Sequence, residues 1–140
     1  NLAHVAARNG HMHILKYFVT IFPFLFDTNQ RDWADNTVMH LVAQGNLTDV
    51  EDFKFLVEKI EDPAKIITAC NYKSKTIVAD ILAERGNRDV IKYLLESKPG
   101  VLNDEHEESI VRHALFKIVI LILFGMWFRR NLQSLLACLI

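Results

Sequence analysis

The sequence predicts an all-α fold, a solenoid of stacked helix-turn-helix units with a hydrophobic C-terminal helix, and three periodic marks predict it. NLAHVAARNG at the start and NTVMHLVAQG from Asn36 share one pattern: a polar residue, apolar residues, a histidine, small residues and a glycine. Aligning His4, His40 and Asp80, in steps of 36 and 40 residues, brings Ala7, Ala43 and Ala83 into one column three residues on. In HILKYFV, DFKFLVE and VIKYLLE, Lys16, Lys54 and Lys92 fall 38 apart in both intervals, and Pro23, Pro63 and Pro99 each follow a second apolar stretch. A fixed period of about 20–50 residues is the signature of a repeat architecture.

Each unit reads as a short helix with small residues, a turn, a second helix with apolar residues at helical spacing, and a loop. The first, about 1–31, runs through His4, Ala7 and Gly10 into HILKYFV. The second, about 32–71, carries Thr37, His40 and Ala43; its QGNLTDVED segment holds two more residues than its counterparts, which predicts a longer inner turn. The third, about 72–103, turns at Gly86 in AERG, and Val90, Ile91, Leu94 and Leu95 follow at offsets of one, three and four, one apolar helix face. Arg88, Asp89, Lys92 and Glu96 form its polar face, and Pro99 marks its end because proline cannot continue a helix.

Residues 104–140 read as a degenerate fourth unit or a hydrophobic C-terminal segment. SIVRHALF sets His113 33 residues after Asp80, with Phe116 where a small alanine belongs, and the chain runs on as KIVILILFGMWF. Residues 118–128 carry no charge, yet a bilayer helix needs about 20 apolar residues. Extending the run past Arg129 and Arg130 puts two charges in mid-span. Three readings compete for residues 114–140: a last repeat packed on the stack, a membrane segment, or a helix covered by residues outside this chain.

At 140 residues and 16.2 kDa the chain fits one domain, and Lys+Arg 16 against Asp+Glu 17 gives a net charge of −1. That balance gives nucleic-acid binding no support. Cys70 and Cys138 lack metal-type spacing and suit a reducing compartment, hence a cytoplasmic location. The chain opens on Asn inside a motif, as a segment of something longer would, so no N-terminal signal can be read. His11 and His13 are alternate residues, which do not share a helix face, and no carboxylate or cysteine completes a metal site around them. Cys70 with His40 is the single nucleophile–base pairing that adjacent units of a stack could bring together. No Gly-rich phosphate loop or dinucleotide fingerprint occurs.

NLAHVAARNGHMHILKYF, NTVMHLVAQG and VADILAERGNRDVIKYLLE resemble ankyrin repeats, whose unit has a T-P-L-H opening, an alanine pair, a central glycine and a V-V-x-L-L second helix. The resemblance covers residues 1–103. It implies a non-catalytic protein-binding module with no cofactor, no metal and no small-molecule substrate, recognising a protein through loop tips and a concave face. It implies that Thr37 and His40 hydrogen-bond at a helix start and tie one unit to the next. The third unit lacks both groups, with Ile77 and Asp80 at those positions, which leaves its link to its neighbours open.

The projecting loop implied by the family falls on Arg31, Asp32, Trp33 and Asp35, with Tyr72 and Lys73 in the next loop. Trp33 either projects as a binding hot spot or folds back to cover the stack. Arg8, Asn9, Gln44, Glu84 and Arg85 are candidates for the concave face. Two alternatives stand beside the binding module. One is the cytoplasmic repeat domain of a membrane-anchored protein with residues 114–140 as anchor, an analogy that FPFLF and KPGVL also suggest. The other is the targeting part of a larger effector or enzyme.

Overall fold

Seven-residue helices are too short to persist alone in water, so a chain built on them must stack to be stable. A computed structural model of the protein describes residues 1–45, 49–97, 102–116 and 123. In chain order the helices are α1 (Leu2–Arg8), α2 (Met12–Ile21), a 3₁₀ turn (Pro23–Phe26), α3 (Val38–Gln44), α4 (Val50–Lys59), α5 (Pro63–Ile67), α6 (Val78–Glu84) and α7 (Arg88–Ser97). Residues 104–116 are also helical. Each unit thus pairs a seven-residue inner helix with a ten-residue outer one.

The inner helices α1, α3 and α6 pack in succession, and the outer helices α2, α4 and α7 pack beside them in the same order. Ala3, Ala6 and Ala7 are buried on α1, Val42 and Ala43 on α3, and Ala79 and Ala83 on α6, so small side chains line the inner contacts. Leu15, Val19, Phe53, Leu56, Val57, Val90 and Leu94 of the outer layer fill the core together with Met39, Leu41, Ile81 and Leu82 of the inner helices. Gly10 and Gly86 close the inner turns at φ of +72° and +70°, a left-handed conformation that glycine takes without strain.

Two details go beyond the sequence reading. Pro23 and Pro63, which follow the second apolar stretches, each begin a short helix, where the missing N–H is no loss. Asp62 caps α5 by accepting from the Lys65 amide at 3.2 Å. On α7 the sealed face is Val90, Tyr93 and Leu94, while Ile91 is half-buried and Leu95 exposed, because α4 and α6 cover the helix from one side.

The fourth unit starts earlier than His113 suggests. The helical stretch 104–116 is capped at Asn103, whose side chain accepts from the His106 amide at 2.9 Å, while the Asn103 amide donates to His106 Nδ1 at 3.3 Å. His106 therefore holds the third helical position, and His113 lies seven residues farther along the helix. Among the described residues no helix is long and apolar enough to cross a membrane. The expected longer turn at residues 46–48, Pro99, and the hydrophobic run from 117 onward apart from Leu123 lie outside the described residues.

Candidate functional site

The inner helices are fastened to their neighbours at their starts. A helix leaves its first N–H groups without partners, and a side chain just ahead of the first turn can accept from them. Thr37 Oγ1 accepts from the His40 amide at 3.4 Å, and the Thr37 amide donates to His40 Nδ1 at 3.3 Å, a reciprocal cap. Asn1 and His4 repeat the arrangement, with the His4 amide 3.1 Å from Asn1 Oδ1. The far ring nitrogens then cross the junction: His4 Nε2 lies 3.1 Å from the Asn36 carbonyl and His40 Nε2 3.3 Å from the Thr76 carbonyl. Both histidines are buried, and burial pushes their pKa values below the ordinary one.

The third unit, whose link the sequence leaves open, is joined by other chemistry. Asp80 Oδ2 accepts from the Ile77 amide at 3.0 Å, so the carboxylate serves its own helix start as the histidines serve theirs. Its Oδ1 accepts from the Ser109 hydroxyl at 2.7 Å and lies 3.4 Å from His113 Nδ1, and His113 Nε2 lies 3.4 Å from Glu84 Oε1. The helix 104–116 is thereby attached to α6. Serine, histidine and aspartate meet here, but the hydroxyl donates to the carboxylate rather than to the ring, which is not the order that activates a serine nucleophile. Nor do Cys70 and His40 pair: both ring nitrogens of His40 are engaged with Thr37 and Thr76, and Cys70 Sγ faces the Asn71 carbonyl.

Between the inner helices, two loops turn on acceptor side chains. Asp32 Oδ1 accepts from the amides of Ala34 and Asn36 at 2.9 and 2.8 Å, and Asn71 Oδ1 accepts from Lys73 and Ser74 at 2.9 and 3.1 Å. Burial opposes the charge on Asp32, but these amide hydrogen bonds and Arg8 outweigh it and hold the carboxyl below its usual range. Both loops then pass through the left-handed region two residues before the N-caps Thr37 and Ile77, at Asp35 and Lys75.

The loops are also bonded to each other. Asn71 Nδ2 donates to the Ala34 carbonyl at 3.0 Å and to Asn36 Oδ1 at 2.7 Å, the Tyr72 amide donates to Asp35 Oδ2 at 2.6 Å, and the Lys73 ammonium reaches the Trp33 carbonyl. Arg31 binds the Thr28, Asp35 and Cys70 carbonyls at 2.8, 3.0 and 2.7 Å, with its guanidinium 5.2 Å from the centre of the Tyr72 ring. Arg8 on α1 closes the set through its 2.9 Å ion pair with Asp32.

On this frame Trp33 is 80% exposed and Tyr72 73% exposed. Trp33 projects and does not fold back over the stack. Arg31, Asp32, Asp35 and Lys73 are brought together with the two aromatics, chiefly as the frame that holds them. Arg8, Gln44 and Glu84 are the last residues of α1, α3 and α6 and so form one row along the inner helices; Arg85 caps α6 one residue beyond that row. Asp80 as a link and Asn103–His106 as a cap escaped the sequence reading, although NDEH repeats the spacing of NLAH. Among the described residues no cluster of three or more His, Cys, Asp or Glu side chains could hold a metal ion, and His11 and His13 stand exposed with ring centres 6.0 Å apart.

A family model described as ankyrin repeats in three copies matches residues 3–106. No curated protein and no solved structure gives a significant match. The matched segment covers most of the chain and the stacked inner and outer helices are those such a model requires, so the chain belongs to the ankyrin-repeat family.

Proposed function

We propose that the chain is a non-catalytic recognition module that binds a partner protein through the tips of its two loops and the adjoining row of inner-helix ends. Ankyrin repeats are generally protein–protein interaction modules and typically non-catalytic. The observation that carries the reading here is the pair of exposed aromatics, Trp33 and Tyr72, on loops already held by hydrogen bonds. Large side chains presented on a rigid frame bind with little ordering cost, and tryptophan and tyrosine are enriched at binding hot spots. Arg8, Gln44 and Arg85 supply polar rim contacts beside them.

The test is Trp33→Ala in the full chain, with cell extract passed over wild-type and variant protein. The exposed ring leaves the fold untouched when removed, so circular dichroism and the melting temperature are expected to be unchanged while captured protein falls about tenfold, as for a hot spot of 1–2 kcal/mol. Equal capture by both forms removes this loop from the interface.

A second reading has one specific observation behind it, the uncharged run of residues 118–128. In that reading the same repeats face the cytoplasm from a membrane anchor. Alkaline washing of membranes from cells expressing residues 1–140 and 1–112 separates the two: retention of the longer chain alone favours the anchor, and loss of both favours the free module.

A further inference from the structure

A cleft of about 670 Å³ lies between the 3₁₀ turn of the first unit and the start of α5 in the second. A recess of about 300–1,000 Å³ takes a small ligand or a few side chains. None of the loop-tip residues lines it. Ile60 and Ile66, both buried, line it from the second unit. Phe24 lines it from the first and is 63% exposed, its ring set edge-on against Phe22 with centres 6.2 Å apart. The recess therefore offers apolar surface on both walls.

Charge around it is mostly negative. Asp27 stands on the first wall and Glu61 and Asp62 on the second, all three exposed, against the ammonium of Lys65. Asp27 Oδ1 accepts from the Asn29 amide at 3.0 Å and from the Thr28 hydroxyl at 3.3 Å, bonds that hold its carboxyl below the usual range. Asp62 Oδ1 is engaged with the Lys65 amide. Among the described residues the Oδ2 atoms of both aspartates take no hydrogen bond, and none of the three carboxylates forms an ion pair. The helix ends add to this. Ile60 is the C-cap of α4, and Pro23 follows Phe22, the C-cap of α2, so the negative ends of two helix dipoles meet the cleft.

The geometry points to this cleft as a docking site for a basic segment of a partner protein, whose apolar side chains seat against Phe24, Ile60 and Ile66 while arginine or lysine side chains reach the rim. Acid on both walls calls for more than one cation, and a peptide supplies spaced cations together with apolar side chains. An anion or an uncharged ligand leaves the carboxylates unanswered. The site is separate from the loop tips and does not rest on the role proposed for them.

The experiment is fluorescence anisotropy of a labelled, end-capped peptide, leucine and phenylalanine ahead of a run of arginines, titrated at low salt with the full chain. Saturable binding is expected. Asp27→Asn combined with Glu61→Gln should weaken it about fivefold, since exposed ion pairs contribute little singly and are screened by salt. Phe24→Ala should weaken it about threefold through lost apolar contact. All three side chains are exposed, so the melting temperature is expected to stay unchanged. Trp33→Ala, and Glu105→Gln combined with Glu107→Gln on the helix 104–116, should leave the affinity as it was. A peptide with serine in place of leucine and phenylalanine tests the apolar contacts without altering the protein and should also bind more weakly. Failure to saturate by about 100 μM chain overturns the assignment. So does a loss in Trp33→Ala or in the Glu105 and Glu107 variant as large as that at the cleft. Equal affinity for the apolar and the serine peptide overturns it too, since charge alone would then account for the binding.

Discussion

The first two junctions of the stack and the third solve one problem in opposite ways. His4 and His40 reach from a helix start to a main-chain carbonyl of the next unit, at Asn36 and Thr76. Asp80, at the same helical position, is itself reached by side chains, the Ser109 hydroxyl and the His113 ring. Every residue has a carbonyl, so the histidine link is indifferent to the side chain beyond it. The carboxylate link requires particular donors, and it ties the third unit to the helix 104–116 only while Ser109 and His113 are there.

The largest effect is expected from His40→Ala. It leaves a cavity in a sealed site and strips the Thr76 carbonyl and the Thr37 cap of a partner, a loss of about 2–4 kcal/mol readable in urea unfolding. Asp80→Ala should lose about 2 kcal/mol by unpairing the Ile77 amide, and amide exchange should rise first in residues 104–116. If that rise were instead uniform along the chain, the two kinds of junction would not be separable.

Acid sharpens the contrast. Burial holds the pKa values of His4 and His40 below their unfolded value, so folding favours the neutral rings. Their contribution is fully present above about pH 6.5 and is lost as pH falls from there toward the folded values, because the unfolded chain takes up the protons first. The stability slope is at most about 1.4 kcal/mol per pH unit for each histidine. His40→Gln should flatten the slope measured by urea unfolding between pH 7 and 5; an unaltered slope would place the acid sensitivity elsewhere. The smallest effect is that of Ser109→Ala, about 1 kcal/mol, confined to the docking of helix 104–116. A loss as large as that of His40→Ala would erase the distinction between the junctions.

What could be read from the sequence was whatever repeats. The columns of His4 and His40 and of Ala7, Ala43 and Ala83 are local packing requirements, and local requirements leave periodic residues. Asp80 was legible only as a missing histidine, because its partners Ser109 and His113 lie 29 and 33 residues downstream and their hydrogen bonds leave no period. For a similar reason the sequence admits two placements of Trp33. Its exposure follows from Asp32, Asp35 and Asn71 turning and joining two loops, a long-range arrangement. The cap at Asn103 was legible in principle, and the histidine pattern at His113 outweighed it.

Arg31 has a consequence for selectivity. One guanidinium binds carbonyls of both loops and stacks on Tyr72, so it acts as a spacer between the two exposed rings. Under the proposed function, a ligand that satisfies Trp33 alone would gain one contact, whereas one whose two apolar groups match the interval between the rings would gain both without bending the loops. Discrimination would then rest on a length in the ligand, and a chemically similar sequence with one residue inserted between its anchors would be expected to bind more weakly.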